Sequence, residues 1–113
     1  MPRFAVIAVF TVEGFHRWPD APAPVEFLRQ RHRHLFHVEL SRWVTHADRD
    51  IEILMLRRRG IEVLCGEYGL PCEFGSLSCE HIADFLLRAL NLSRCKVLED
   101  GENGAVAYDV HPS

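Results

Sequence analysis

At 113 residues the chain is one domain, 1–113, and 48% apolar with 26% charged residues is the composition of a folding chain rather than a disordered one. A net charge of −3 argues against a general nucleic-acid binder, and no apolar run approaches the ~20 residues that cross a bilayer. Twelve of the thirteen basic residues are arginine, with Lys96 the one lysine, which reads as coding bias before it reads as phosphate chemistry.

Phe4 to Val12 is rich in β-branched and aromatic residues and carries no breaker, so it reads as a strand buried on both faces or at an interface. It lacks the small-residue cleavage pattern of a signal peptide. The prolines of Pro19 to Pro24 then force a loop, because proline removes ladder donors and restricts the residue before it. His32 to Thr45 alternates as a second strand. One face carries His32, His34, Phe36, Val38 and Leu40, and the other Arg33, Leu35, His37, Glu39 and Ser41.

Asp48 or Asp50 is placed to cap a first helix through its side-chain oxygen. Gly60 is expected to end or bend that helix beside Arg57-Arg58-Arg59, where positive charge would complement the helix C-terminus. Gly66 to Gly75 reads as a Gly/Pro loop. A second helix follows, capped by Ser76 or Ser78, with Ile82, Phe85, Leu86, Ala89 and Leu90 at helical spacing. Arg94 to Glu99 and Gly104 to Val110 read as two further strands, joined by Asp100 to Gly104, residues that tolerate positive φ. The order ββααββ predicts an α+β domain, a four-stranded antiparallel sheet with two helices on one face. The other face is left open for another subunit.

His32 and His34, at positions i and i+2 of a strand, project from the same face. A third imidazole from a neighbouring strand, His16, would complete a three-nitrogen zinc site, the set that leaves a fourth position open for chemistry. The remaining histidines, His37, His46, His81 and His111, read as solvated or interfacial. Cys65, Cys72, Cys79 and Cys95 show no C-x-x-C spacing and read as reduced thiols in a cytoplasm, with a four-thiolate zinc site the weaker alternative. Arg29, Arg31 and Arg33 read as a solvated edge before they read as an anion site.

Phe15-His16, His32-Arg33-His34-Leu35-Phe36, Ser78-Cys79-Glu80-His81-Ile82-Ala83 and Val97-Leu98-Glu99-Asp100 occur in that order along the chain. Together they resemble the 6-pyruvoyltetrahydropterin and 6-carboxytetrahydropterin synthase family, which has the tunnelling fold (T-fold). The first two segments are similar to the family's zinc-ligand segment and its H-G-H-x-(Y/F), with Arg33 where glycine is usual. The third resembles the P-T-x-E-N-x-A segment that opens the second long helix, and the fourth the closing V-x-E-T.

The resemblance implies bound Zn2+ on His16, His32 and His34. It also implies a reduced pterin or purine-derived ligand anchored by Glu99, with Ser78 and Glu80 facing it, and a homo-oligomeric barrel with pockets at subunit boundaries. In the family the metal grips side-chain oxygens while a base removes a proton beside them. The usual base is a cysteine four residues before the H-x-H. Leu28 stands there, and the family's Asp-His pair has no counterpart between Gly60 and Ser76. The catalytic group is therefore unassigned. The sequence supports two expectations: a zinc-dependent, lyase-type synthase with altered chemistry, or a T-fold protein that binds or sequesters a pterin, a guanine nucleotide or a nucleotide-derived signal. Cys65 and Cys79 are the thiols available to replace the missing one.

Overall fold

In the computed structural model, residues 2–110 are described. β1 runs from Phe4 to His16 and β2 from His32 to Val44. They pair antiparallel along their whole length, Phe4 opposite Val44 and His16 opposite His32. β1 is therefore four residues longer than its apolar run suggests. Glu13 and Gly14 stay in the strand because β2 supplies their ladder partners, Leu35 and His34.

α1 spans Ile53–Tyr68 and α2 Cys79–Ala89. Between them lies a strand, β3 (Cys72–Gly75), and after them come β4 (Arg94–Glu99) and β5 (Asn103–Tyr108). The sheet has five strands in the order β3-β1-β2-β4-β5, with β3 parallel to β1 and the other pairs antiparallel. The domain is α+β as expected, but the sheet is mixed and not four-stranded antiparallel. β3 was hidden because its four residues lie among Gly66, Gly69, Pro71 and Gly75. Only Cys72 and Phe74, both buried, betray its alternation.

The inner face of the sheet (Ala8, Phe10, Val12, Phe36, Val38, Leu40, Cys95, Val97) packs on Leu56 and Leu64 of α1 and Ile82, Ala83 and Leu86 of α2. Gly60 does not end α1; it sits buried within it. A Cβ there would lie 2.6 Å from Leu40 Cδ1 and 3.0 Å from Phe10 Cε1, so glycine lets the helix lie close on the sheet. Arg57 to Arg59 thus fall mid-helix. Arg57 Nε donates to the Val9 carbonyl, a group on the part of β1 that the short β3 leaves without a strand neighbour. The N-cap of α1 is Glu52, whose carboxylate accepts from Met55 N, while Asp50 accepts instead from Thr45 N and Oγ1. For α2 the cap is Ser78, in a capping box with His81 in the position usually held by Glu or Gln.

The outer face carries no helix and exposes Ile7, Val9 and Trp43, so within this chain β1 is buried on one face and not on both. On that face Glu39 accepts from Arg94 and lies 3.7 Å from Lys96. The Arg94 hydrogen bond holds the Glu39 carboxyl below its usual range, against a smaller opposing effect of burial. A depressed folded-state pKa contributes stability that is present above the unfolded value, about 4.3, and lost as pH falls through the folded one. Glu39→Gln is therefore expected to flatten the fall in Tm between about pH 5 and pH 3. Parallel Tm-against-pH curves for the two proteins would remove this pair as a source of acid sensitivity.

Candidate metal centre

The β1–β2 register puts His16 directly opposite His32, and His34 two residues further along the same face. The three imidazoles meet edge to face, with ring centroids 4.6 Å (His16–His32), 4.9 Å (His32–His34) and 5.3 Å (His16–His34) apart. Each offers one ligand nitrogen, and these lie within 4.8 Å of one another. His16 is buried and the other two are half-buried.

The floor beneath them is aromatic. Phe36 contacts His16 and His34 edge-on at 5.3 and 5.7 Å, and Phe74 stacks edge-on against Phe36 at 5.0 Å. Gly14, opposite His34, makes room for that floor. A Cβ there would fall 2.7 Å from Phe74 and 2.9 Å from Phe36.

Every ring has its Nδ1 tied to an oxygen. His16 Nδ1 lies 2.9 Å from the Leu77 carbonyl, His32 Nδ1 2.8 Å from the Gln30 carbonyl, and His34 Nδ1 2.7 Å from Asp100 Oδ2. A carbonyl or carboxylate oxygen only accepts, so each Nδ1 carries the proton and donates it. Nε2 is then the nitrogen each ring can offer a metal, which at His16 would replace the proton shared with Glu99 Oε2 3.0 Å away, and the oxygens fix tautomer and ring orientation. His34 Nε2 is buried and has no hydrogen-bond partner among the described residues. A buried unpartnered imidazole nitrogen is costly, and a metal ion is a partner that fits it. This donor set suits zinc and other first-row divalent ions.

Two carboxylates complete the electrostatics. Glu99, at the end of β4, has Oε2 3.0 Å from His16 Nε2 and Oε1 3.7 Å from His34 Nε2. The His16 hydrogen bond lowers the Glu99 pKa against the opposing effect of burial. Burial also works against protonating His16, but Glu99 and the Leu77 carbonyl outweigh it and raise the His16 pKa. Asp100 is held below the usual carboxylate range first by His34 and then by the Leu35 N–H.

Asp100→Asn is expected to weaken metal binding about 10- to 100-fold. Asparagine keeps an oxygen for Leu35 N but can present an N–H to His34 Nδ1, which would move the ring proton to Nε2, where the metal belongs. Metal titration of the two proteins checks this; equal affinities would mean that Asp100 does not set the tautomer.

A cavity of about 560 Å³ opens beside the imidazoles. Trp18 and Leu28 line it, brought together by the Trp18 N–H to Leu28 carbonyl hydrogen bond at 2.8 Å. A 3-10 segment, Ala23–Arg29, carries Leu28 there; it starts at the end of the Pro19 to Pro24 loop and runs past it into a stretch to which the sequence assigned no element. Ser78 and Glu80 line the cavity too, although the Ser78 hydroxyl is engaged by His81 N and Nδ1. Of the thiols, Cys79 lines the cavity and donates to Glu99 Oε2 at 3.7 Å, but burial, then the Glu99 charge, push its pKa up to about 12. It is a proton-bearing thiol, not a thiolate. Cys65 hydrogen-bonds with the Cys72 thiol and is not among the residues lining the cavity.

All four cysteines are free, and none joins a cluster of metal-binding groups among the described residues. The edge arginines are engaged: Arg29 with the Ala21 carbonyl, Arg31 with Glu73 and the Phe15 ring, Arg33 with Glu13. His37 faces the outer side of the sheet, half-buried, and His46 lies 3.7 Å from Asp50. His111 lies outside the described residues.

Sequence reasoning missed Asp100, the Leu77 and Gln30 carbonyls, and His81 as a cavity residue. A register for β2 against β4 would have found Asp100, since Phe36 opposite Glu99 brings the following turn to His34.

No family model matches the chain, and no curated protein matches it. Eleven chains of solved structures do. Among them is the crystal structure of an uncharacterized protein from Wolinella succinogenes, 12% identical, with a TM-score of 0.70 and covering 96% of this chain and 99% of that one. At that identity the likeness shows a shared fold alone. Among the described residues no helix is long and apolar enough to cross a membrane.

Proposed function

We propose that this chain is a zinc protein with the tunnelling fold, similar to the pterin synthases, whose cavity takes a reduced pterin or a related purine-derived heterocycle. The observation that carries the reading is the set of three imidazoles whose Nδ1 atoms are held by oxygens and whose Nε2 atoms are left for one ion. When bound, zinc would act as a Lewis acid on ligand oxygens and lower the pKa of a hydroxyl it holds. Trp18 and Leu28 supply apolar wall for a flat ring, and Glu80 with the capped end of α2 supplies polar groups. The exposed Ile7, Val9 and Trp43 favour further copies closing over the open sheet face, with pockets at the subunit boundaries.

Leu28 at the thiol position and the protonated Cys79 favour a second reading, in which the same cavity holds its ligand without turnover. Incubation of zinc-loaded protein with dihydroneopterin triphosphate separates the two. Conversion in proportion to bound zinc supports the synthase. Stoichiometric binding, with the ligand recovered unchanged on denaturation, supports sequestration. Neither binding nor conversion, for this compound and for a guanine nucleotide, would sink the heterocycle assignment.

A further inference from the structure

We propose that Glu99 is a fourth protein ligand of this metal, so that the resting site is a set of three imidazoles and one carboxylate. The inference rests on the three-histidine centre but not on the heterocycle. Glu99 pairs with Phe36 across β2–β4, which sets it on the inner face beside His34, and the Asp100 N–H to Leu35 carbonyl bond at 2.7 Å fastens the strand end there.

Donor atoms around a tetrahedral ion with bonds of 2.0–2.2 Å stand about 3.3–3.6 Å apart. The carboxylate meets two of the three nitrogens at separations that bracket this value, 3.0 Å from His16 Nε2 and 3.7 Å from His34 Nε2. A plain His16–Glu99 ion pair accounts for the first separation and leaves His34 Nε2 buried without a partner. An ion shared by the carboxylate, His16 and His34 accounts for both; the mutually close donor set is the three imidazoles, and Glu99 would join it by turning toward His32. Cys79 Sγ–H donates to Oε2 from α2, the kind of outer-shell bond that orients a ligating carboxylate. Anchoring a heterocycle by two parallel N–H bonds would instead need both oxygens, and Oε2 is already engaged by His16 and Cys79.

A carboxylate ligand reduces the charge of the centre from that of the bare dication. It also means that an incoming molecule must take a fifth position or displace Glu99. The test is titration of metal-free protein with Zn2+ and with Co2+, in wild type and Glu99→Gln. The amide is a poor ligand of similar shape. Zinc affinity is expected to fall at least about 10-fold, and the visible bands of the cobalt form to change position and intensity.

If Glu99→Gln fails to fold, the wild-type cobalt protein decides. Strongly shifted proton resonances from the Glu99 methylenes are expected of a ligand, and their absence would overturn the proposal. Wild-type affinity and an unchanged cobalt spectrum in a folded Glu99→Gln would overturn it while leaving the histidine centre standing. Failure of wild type to bind either ion would remove both.

Discussion

Replacing His32 and His34 together with alanine is expected to abolish stoichiometric zinc binding. Zinc held by protein ligands carries about 10–16 kcal/mol, and if three or four ligands share that energy the loss of each costs on the order of 10²–10⁴ in affinity. Losing two leaves nothing competitive with water or buffer. The half-buried His32 and His34 side chains lie at the cavity end of β2, away from the core residues Val38 and Leu40, so the metal-free variant is expected to fold. The measurement is metal content by mass spectrometry of protein purified without a histidine tag or added zinc, beside circular dichroism of both forms. About one zinc per chain in wild type, lost in the variant, is the expected result. No metal in wild type, with reconstitution also failing, would sink the metal centre and leave the fold as a scaffold.

Phe36→Ala is expected to destabilise the protein by about 3–5 kcal/mol and to weaken metal binding as well. Phe36 is fully buried, and its ring is shared between the core and the site. Phe74 packs on one edge, and His16 and His34 rest on it from the other. Truncation leaves a cavity that neighbouring strands cannot close, and it frees two imidazoles to tilt. For a domain of this length such a loss lowers Tm by more than about 12 °C. Comparison with Val38→Ala, equally buried but further along β2, separates the two effects. Both variants should lose Tm, whereas only Phe36→Ala should lose zinc affinity beyond what global stability explains. Equal zinc affinities in the two folded variants would show that the floor does not position the ligands.

Both experiments turn on residues that the linear chain already marked. The period-two alternation of His32 to Leu40 put two imidazoles and Phe36 on one face. That inference needs only the geometry of a strand, and the burial of Phe36, Val38 and Leu40 bears it out. The strands Arg94–Glu99 and the helix capped by Ser78 were equally legible, because a hairpin turn and a cap are local signals. β3 was not, since a four-residue strand in a Gly/Pro-rich stretch exists only because β1 offers it an edge. Nor was the continuation of α1 through Gly60. The preference of glycine for leaving a helix is worth about 1 kcal/mol, and close packing on Leu40 and Phe10 overrides it.

The same division runs through the site. Residue type and spacing nominated His16, His32 and His34 as ligands. The partners that select Nε2 come from positions 30, 77 and 100, and the carboxylate beside them from position 99. Gln30 is a near neighbour of its ring, but the other groups are more than sixty residues distant along the chain from the rings they serve. No local pattern encodes such proximity. It arises from the β1–β2 and β2–β4 registers and from the seating of α2, which are settled by burying one apolar face against another.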